Sequence, residues 1–115
     1  MKKDLIILIF FVSLLLLTAC SSRLDPAAEE LASCLSEKGV KFYGAYWCPH
    51  CNDQKELFGK AVESFYVECS LPSAQGQTEI CQEAGVKAYP TWEFQDGTKR
   101  EGVLSLEQIK ELSGC

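Results

Sequence analysis

Two cysteines separated by two residues are the part of this sequence best suited to chemistry. They form the run Cys48-Pro49-His50-Cys51, a spacing at which one helical turn brings two sulfur atoms within bonding distance. Residues 40–46 precede the run and are apolar and aromatic, which is typical of a buried strand. Because apolar residues with helical periodicity follow, we expect Cys48 at the N-terminus of a helix, where the helix dipole stabilises a thiolate. Cys48 would then attack disulfides, and Cys51 would resolve the mixed disulfide.

His50 lies between the two cysteines and affects the direction of this chemistry. When it is protonated, it adds positive charge beside Cys48 and favours the thiolate there. Stabilising the reduced thiolate makes the corresponding disulfide a stronger oxidant. The motif therefore predicts a protein that donates disulfides. His50 is also the only histidine of the chain, so a Cys–His–Asn protease site cannot be built from this sequence.

A pair of cysteines at this spacing has an alternative interpretation as half of a zinc site. Zinc needs four ligands, and Cys69 and Cys81 are available to complete the set. Eleven residues separate Cys69 from Cys81, which is not the spacing of a zinc finger. We therefore expect neither a metal nor a cofactor here.

The N-terminal residues resemble the signal of a bacterial lipoprotein. Lys2 and Lys3 are followed by an apolar run, residues 5–17, which is too short to span a bilayer and suits the core of a signal peptide. Small residues then precede Cys20, as in a lipobox. We expect residues 1–19 to be a lipoprotein signal peptide, 20–24 a lipidated tether and 25–115 the folded domain. An ordinary signal peptide cut after Ala19, or an uncleaved anchor, are the alternatives, and each of the three places the domain outside the cytoplasm.

Charge and cysteine count agree with an acidic domain in an oxidising compartment. Without residues 1–19 the chain has nine basic and fifteen acidic residues, a balance that argues against nucleic acid as a partner. If Cys20 carries lipid, six of the seven cysteines remain, an even number that suits disulfides outside the cytoplasm. Beyond the Cys48–Cys51 pair, four cysteines allow three pairings.

The remaining sequence predicts helices alternating with strands. A helix is expected from Pro26, capped by Asp25, until Gly39, and a final helix through Leu112 follows the capping box of Ser105 and Gln108. Between them we expect a strand at 40–46, a helix at 51–64, a strand at 65–69, a helix at 78–84 and a hairpin of strands 91–94 and 99–103 around Asp96-Gly97. This order indicates an α/β fold with a small central mixed sheet flanked by helices.

Two segments of the sequence resemble the thioredoxin superfamily. They are residues 42–51, which read FYGAYWCPHC, and residues 85–91, which read GVKAYPT. The Cys-Pro-His-Cys choice is similar to that of the DsbA family of periplasmic oxidants. The run YGAYWCPHC, the downstream cysteine pair and the ending Leu-Ser-Gly are also similar to the thioredoxin-like domain fused to bacterial vitamin K epoxide reductase (VKOR) homologues.

This resemblance implies roles for several residues. Pro90 would form a cis peptide bond beside the active cysteines and expose the backbone of Tyr89 to an extended peptide. Trp47 would line the substrate surface, and Cys69 and Cys81 would form a structural disulfide. One departure is Phe42, which occupies the place of the buried aspartate of classical thioredoxins and so weakens a reductase interpretation.

The resemblance also implies partners, namely protein substrates that contain thiols and a quinone-linked, VKOR-like oxidase of the membrane. A tether of five residues would hold the domain close to that membrane. Three hypotheses remain: a disulfide donor, a reductase or isomerase, and a metal-binding or structural lipoprotein. Cys34 and Cys115 have two interpretations, either as a structural pair or with one of them relaying electrons.

Overall fold

The computed structural model describes residues 1–4, 6, 7 and 25–115. The expected cleavage site, the expected lipidation site at Cys20 and the expected tether of residues 20–24 lie outside the described residues. Within those ranges, none of the helices has the length and apolar character needed to cross a bilayer.

In residues 25–115, four α-helices and a 3₁₀ helix flank a sheet of four strands. Strand β1 (Lys41–Gly44) pairs in parallel with β2 (Tyr66–Glu68) and antiparallel with β3 (Thr91–Glu93). Strand β3 pairs antiparallel with β4 (Lys99–Glu101), so the strand order is β2-β1-β3-β4. This confirms the predicted mixed sheet with flanking helices, a thioredoxin-like α/β fold. In chain order the elements are α1 (Pro26–Glu37), β1 (Lys41–Gly44), α2 (Pro49–Glu56), a 3₁₀ helix (Gly59–Ser64), β2 (Tyr66–Glu68), α3 (Glu79–Glu83), β3 (Thr91–Glu93), β4 (Lys99–Glu101) and α4 (Leu106–Ser113).

Local capping signals explain where the outer helices begin. The side chain of Asp25 accepts a hydrogen bond from the N–H of Ala27, and Pro26 occupies the first helical position of α1. Ser105 and Gln108 form the expected capping box of α4. Both helices therefore start where the sequence indicates.

The predicted continuous helix over 51–64 was wrong. Helix α2 begins two residues earlier than expected and ends at Glu56, and the 3₁₀ helix follows after a break. The cause is Gly59, which adopts a positive φ of 53°, a conformation that an α-helix cannot contain. Strand β1 is also shorter than the predicted 40–46, because the chain must turn before Cys48 to enter α2.

An aromatic core fills one face of the sheet. The rings of Phe42 and Trp92, which are opposite each other in β1 and β3, stack with centroids 4.8 Å apart. Trp92 is fully buried, and it also packs on Phe58 and Phe65. The other face carries a smaller cluster of Tyr43, Val86, Cys69 and Cys81.

The structure pairs the four remaining cysteines in two disulfides. Cys69, just after β2, bonds to Cys81 in α3, and the chain-entropy model assigns such a short loop a stabilisation of about 3 kcal/mol. Cys34 of α1 bonds to Cys115, which follows α4. Of the two interpretations of Cys34 and Cys115, the structure shows the pair.

Candidate active site

Cys48 is the residue that starts α2. It occupies the N-cap position, Pro49 is the first helical residue, and the Sγ atom of Cys48 accepts a hydrogen bond from the N–H of Cys51 at 3.3 Å. A sulfur in this position meets the unpaired N–H groups and the positive end of the helix dipole. Both cysteines are buried, Cys51 completely, and both are free thiols. The arrangement can therefore perform thiol–disulfide exchange.

The loop before β3 forms the second wall of the site. The Tyr89–Pro90 peptide bond is cis, which is the geometry that the resemblance implies. The carbonyl oxygen of Tyr89 lies 3.9 Å from Sγ of Cys48 and faces the thiol. The sequence places these two segments about forty residues apart, and the antiparallel pairing of β1 with β3 brings them together.

The surface beside the cysteines is aromatic. Trp47 is 50% exposed, its indole N–H donates a hydrogen bond to the hydroxyl of Ser70 at 2.8 Å, and its ring meets Tyr89 edge-on. Pro49 and His50 are exposed on the first turn of α2. An incoming polypeptide would therefore meet these side chains before it reaches the buried sulfur of Cys48.

Helix α2 is fixed to the rest of the domain by a buried glutamine. The side chain of Gln54 donates to the carbonyl of Leu104 at 3.0 Å and accepts from the N–H of the same residue at 2.8 Å. These two bonds satisfy a polar side chain that is completely buried. They hold the helix that carries both cysteines against the segment that leads into α4.

Cys51 lies in surroundings that disfavour its charged form. Burial, followed by its hydrogen bond with Cys48, raises the pKa of the Cys51 thiol to about 12, although a hydrogen bond with the backbone of Ala45 and, less strongly, the Lys55 ammonium lower it. Cys51 is therefore protonated at neutral pH and must lose its proton before it attacks.

Three neighbours of the site were missed by the sequence analysis: Lys55, Tyr66 and Glu68. Both oxygens of the Glu68 carboxylate are occupied, one by the N–H groups of Tyr46 and Ser70 and the other by the hydroxyl of Tyr66. Periodicity could have indicated them, because Lys55 is one helical turn after Cys51 and the alternation of β2 places Tyr66 and Glu68 on one face.

Gly44 makes room for Cys51. A Cβ atom at position 44 would lie 2.9 Å from Cε2 of Tyr66 and 3.1 Å from Sγ of Cys51. We expect Gly44→Ala to lower the free energy of unfolding by about 1–3 kcal/mol through overpacking, measured by urea denaturation. In a Cys51→Ala background the contact with sulfur is absent, so Gly44→Ala should lower the free energy of unfolding by a smaller amount. Equal losses in the two backgrounds would contradict this account of Gly44.

Among the residues described by the structure, no group of three or more His, Cys, Asp or Glu side chains is arranged to hold a metal ion. The alternative of a zinc site required Cys69 and Cys81 as ligands. The structure instead joins these two residues in a disulfide, which leaves them unable to serve as thiolate ligands.

No family model matches the chain, but several known proteins are related to it. The chain is 39% identical over 102 residues to the thiol-disulfide oxidoreductase LTO1 of Arabidopsis thaliana, covering 84% of this chain and 27% of that protein. It is 34% identical over 61 residues to the protein disulfide-isomerase A5 of Bos taurus, covering 48% of this chain and 12% of that protein. It is 34% identical over 65 residues to thioredoxin 3 of Plasmodium falciparum, covering 56% of this chain and 36% of that protein.

The chain thus spans between about an eighth and about a third of the length of these relatives. Their names denote a disulfide oxidoreductase, a disulfide isomerase and a thioredoxin. The chain is similar in sequence to these three proteins, and its mixed sheet with flanking helices is a thioredoxin-like fold.

Proposed function

We propose that this protein is a thiol–disulfide oxidoreductase that donates disulfides to secreted proteins through Cys48 and Cys51. The observation that carries the proposal is the position of Cys48 at the start of α2, hydrogen-bonded by the N–H of Cys51 and facing the carbonyl of Tyr89. A nucleophilic sulfur, a resolving thiol and an exposed aromatic surface for a polypeptide are then present in one place.

The donating reaction proceeds by two exchanges. A substrate thiolate attacks the Cys48–Cys51 disulfide at Cys48, forming a mixed disulfide and releasing Cys51, which takes up a proton. A second substrate thiolate then attacks the substrate sulfur, forming the substrate disulfide and releasing Cys48 as a thiolate. The substrate loses two electrons, and the Cys48–Cys51 pair gains them. The tyrosine carbonyl beside Cys48 lies where the backbone of an extended substrate could pair with it.

Two residues support the donating direction. His50 is exposed on the first turn of α2, where its protonated form favours the reduced thiolate. Phe42 is buried in the aromatic core, in the place where classical thioredoxins have a carboxylate. We expect a reduction potential for the Cys48–Cys51 pair well above that of thioredoxin, about −270 mV, measured by equilibration with glutathione. A potential near or below that value would favour a reductase and contradict our account of His50.

The proposed location is the extracytoplasmic side of a membrane, facing the periplasm or the cell surface, where lipid on Cys20 would anchor the domain. The support is the lipobox-like run before Cys20 and the apolar residues before it. Metabolic labelling with a fatty-acid analogue should label the wild-type protein and leave Cys20→Ser unlabelled. Equal labelling of the two proteins would refute the lipid anchor.

The proposed partner is a quinone-linked, VKOR-like membrane oxidase that reoxidises the pair. The proposal is supported by the sequence resemblance and by the small number of residues, five, between Cys20 and the start of α1. Cys51→Ser cannot resolve a mixed disulfide and should trap the oxidase covalently in cells that contain both proteins. Cys48→Ser is the matched control, and recovery of the same adduct from that variant would contradict the assignment.

An isomerase is the second candidate, and one observation favours it. Because burial raises the pKa of Cys51, a mixed disulfide at Cys48 resolves slowly and leaves time for substrate disulfides to rearrange. A test protein with mispaired disulfides would regain activity with an isomerase in the absence of a net oxidant, whereas a pure donor would not restore it.

A further inference from the structure

Lys55 is the charged side chain that the fold brings next to the resolving cysteine. It follows Cys51 by four residues in α2, so both side chains lie on one face of the helix. Its Nζ atom lies 3.7 Å from the centroid of the Tyr66 ring. In the part of the chain that the structure describes, Lys55 forms no salt bridge with a carboxylate. Its charge is therefore available to neighbouring groups.

The Tyr66 ring contacts Lys55, and its hydroxyl is anchored by a hydrogen bond. Its hydroxyl donates to Glu68 at 2.8 Å, and the carboxylate of Glu68 is itself held by two backbone N–H groups. Burial and this hydrogen bond raise the pKa of Tyr66, so the phenol stays neutral. Cε2 of Tyr66 and Sγ of Cys51 both lie within 3.1 Å of the point that a Gly44 Cβ would occupy, so the ring edge and the sulfur are close neighbours.

The titratable and charged groups around Cys51 are few. Cys48 lies at the start of the same helix, Lys55 lies one turn later, and Tyr66 faces it from β2 with Glu68 behind the phenol. Phe42 contributes no carboxylate from β1. Among the described residues, the Lys55 ammonium is the cation whose charge acts on the Cys51 thiol.

We propose that Lys55, positioned over the Tyr66 ring, stabilises the thiolate of Cys51 when Cys51 resolves a mixed disulfide. This inference rests on the proposed exchange function. In the step, the Cys51 thiol loses its proton to solvent, and the resulting thiolate attacks Sγ of Cys48. The new Cys48–Cys51 bond forms, the bond from Cys48 to the partner sulfur breaks, and the partner leaves as a thiolate that solvent protonates. Lys55 acts on the charge of Cys51 and is a positioning residue, not a catalytic one.

The test follows the two halves of the reaction with dithiobis(nitrobenzoate). The full chain is solubilised in detergent, carries Cys20→Ser to remove the extra thiol, and has only the Cys48–Cys51 pair reduced, as verified by mass spectrometry. Attack by Cys48 releases a first nitrothiobenzoate, and resolution by Cys51 releases a second. Stopped-flow absorbance measures both rates as a function of pH. The reagent reacts with dithiols in general, so the result does not depend on the direction of the natural reaction.

We expect Lys55→Met to slow the second release by about threefold to tenfold at pH 7. Raising a thiol pKa by one unit lowers the thiolate fraction tenfold, and the higher nucleophilicity returns part of the rate. Without the cation the pKa of Cys51 rises, so the pH midpoint of the second release moves upward while the rate of the first release stays the same. Lys55→Arg keeps the charge and should keep the wild-type midpoint.

Lys60→Met is the matched control, because Lys60 is exposed on the 3₁₀ helix. If Lys55→Met has the same second rate and pH midpoint as Lys60→Met, the proposal is wrong. Should Lys55→Met fail to fold, Lys55→Gln supplies a second neutral side chain for the same comparison. If Cys51 of the wild-type protein releases the second nitrothiobenzoate as expected but the protein does not oxidise protein thiols, the proposed function is refuted. The role of Lys55 is then still supported.

Discussion

Cys48→Ser is expected to abolish disulfide exchange, lowering its rate with a model peptide thiol by at least about a thousandfold. A hydroxyl at the N-cap of α2 can still accept the N–H of Cys51, so the helix start is preserved, but it does not form a disulfide. The remaining thiol, Cys51, is completely buried and protonated at neutral pH, which prevents it from replacing Cys48 as the nucleophile. The rate is measured by the oxidation of a fluorescent peptide that contains two cysteines.

Two variants separate the loss of the nucleophile from a general loss of structure. Cys51→Ser retains the attacking sulfur and should accumulate a mixed disulfide, visible by mass spectrometry. The double variant Cys34→Ser with Cys115→Ser removes the disulfide that joins α1 to the residue after α4. This variant should retain disulfide exchange. Exchange by Cys48→Ser at a rate within tenfold of the wild type would mean that Cys51 is the attacking residue.

Trp92→Ala is expected to lower the free energy of unfolding by about 3–5 kcal/mol, the cost of emptying a large buried site. Trp92 is completely buried and packs on four other aromatic rings: Phe42, Phe58, Phe65 and Phe94. Urea denaturation followed by circular dichroism gives the free energy of unfolding for each variant.

Trp47→Ala is the control because it removes the same side chain from a half-exposed position. It should cost less than about 1 kcal/mol, the contribution of one hydrogen bond to Ser70. Trp92→Phe should cost less than Trp92→Ala, since the indole N–H has no hydrogen-bond partner among the described residues and its removal loses no bond. If Trp92→Ala and Trp47→Ala were equally stable, the stack would not be the centre of the core.

Several local elements were predictable from a few adjacent residues. Asp25 before Pro26, and Ser105 three residues before Gln108, place the first turns of α1 and α4 correctly. Asp96-Gly97 places the hairpin, in which Gly97 has a positive φ and Asp96 accepts from the N–H of Thr98. Caps and tight turns are determined by neighbours in the chain, so their signals are complete in the sequence.

The break after α2 shows where periodicity fails. Buried side chains continue at helical spacing at Phe58 and Val62. Phe58 lies just before the 3₁₀ helix, and the 3₁₀ helix turns Val62 toward the core. The pattern therefore predicts one long helix, although the left-handed conformation of Gly59 ends the first one. Glycine is compatible with many conformations, so its identity alone does not tell whether it interrupts a helix.

The sequence by itself determined the chemistry of this protein: a pair of thiols at the start of a helix, directly after a strand of a mixed sheet. Tertiary structure decided which groups surround those thiols. Two disulfides were selected from three possible sets of pairings, Tyr89 was brought to Cys48, and Lys55, Tyr66 and Glu68 were assembled around Cys51. These contacts join segments that are distant in the chain, and strand pairing and packing of the aromatic core decide which of those segments meet.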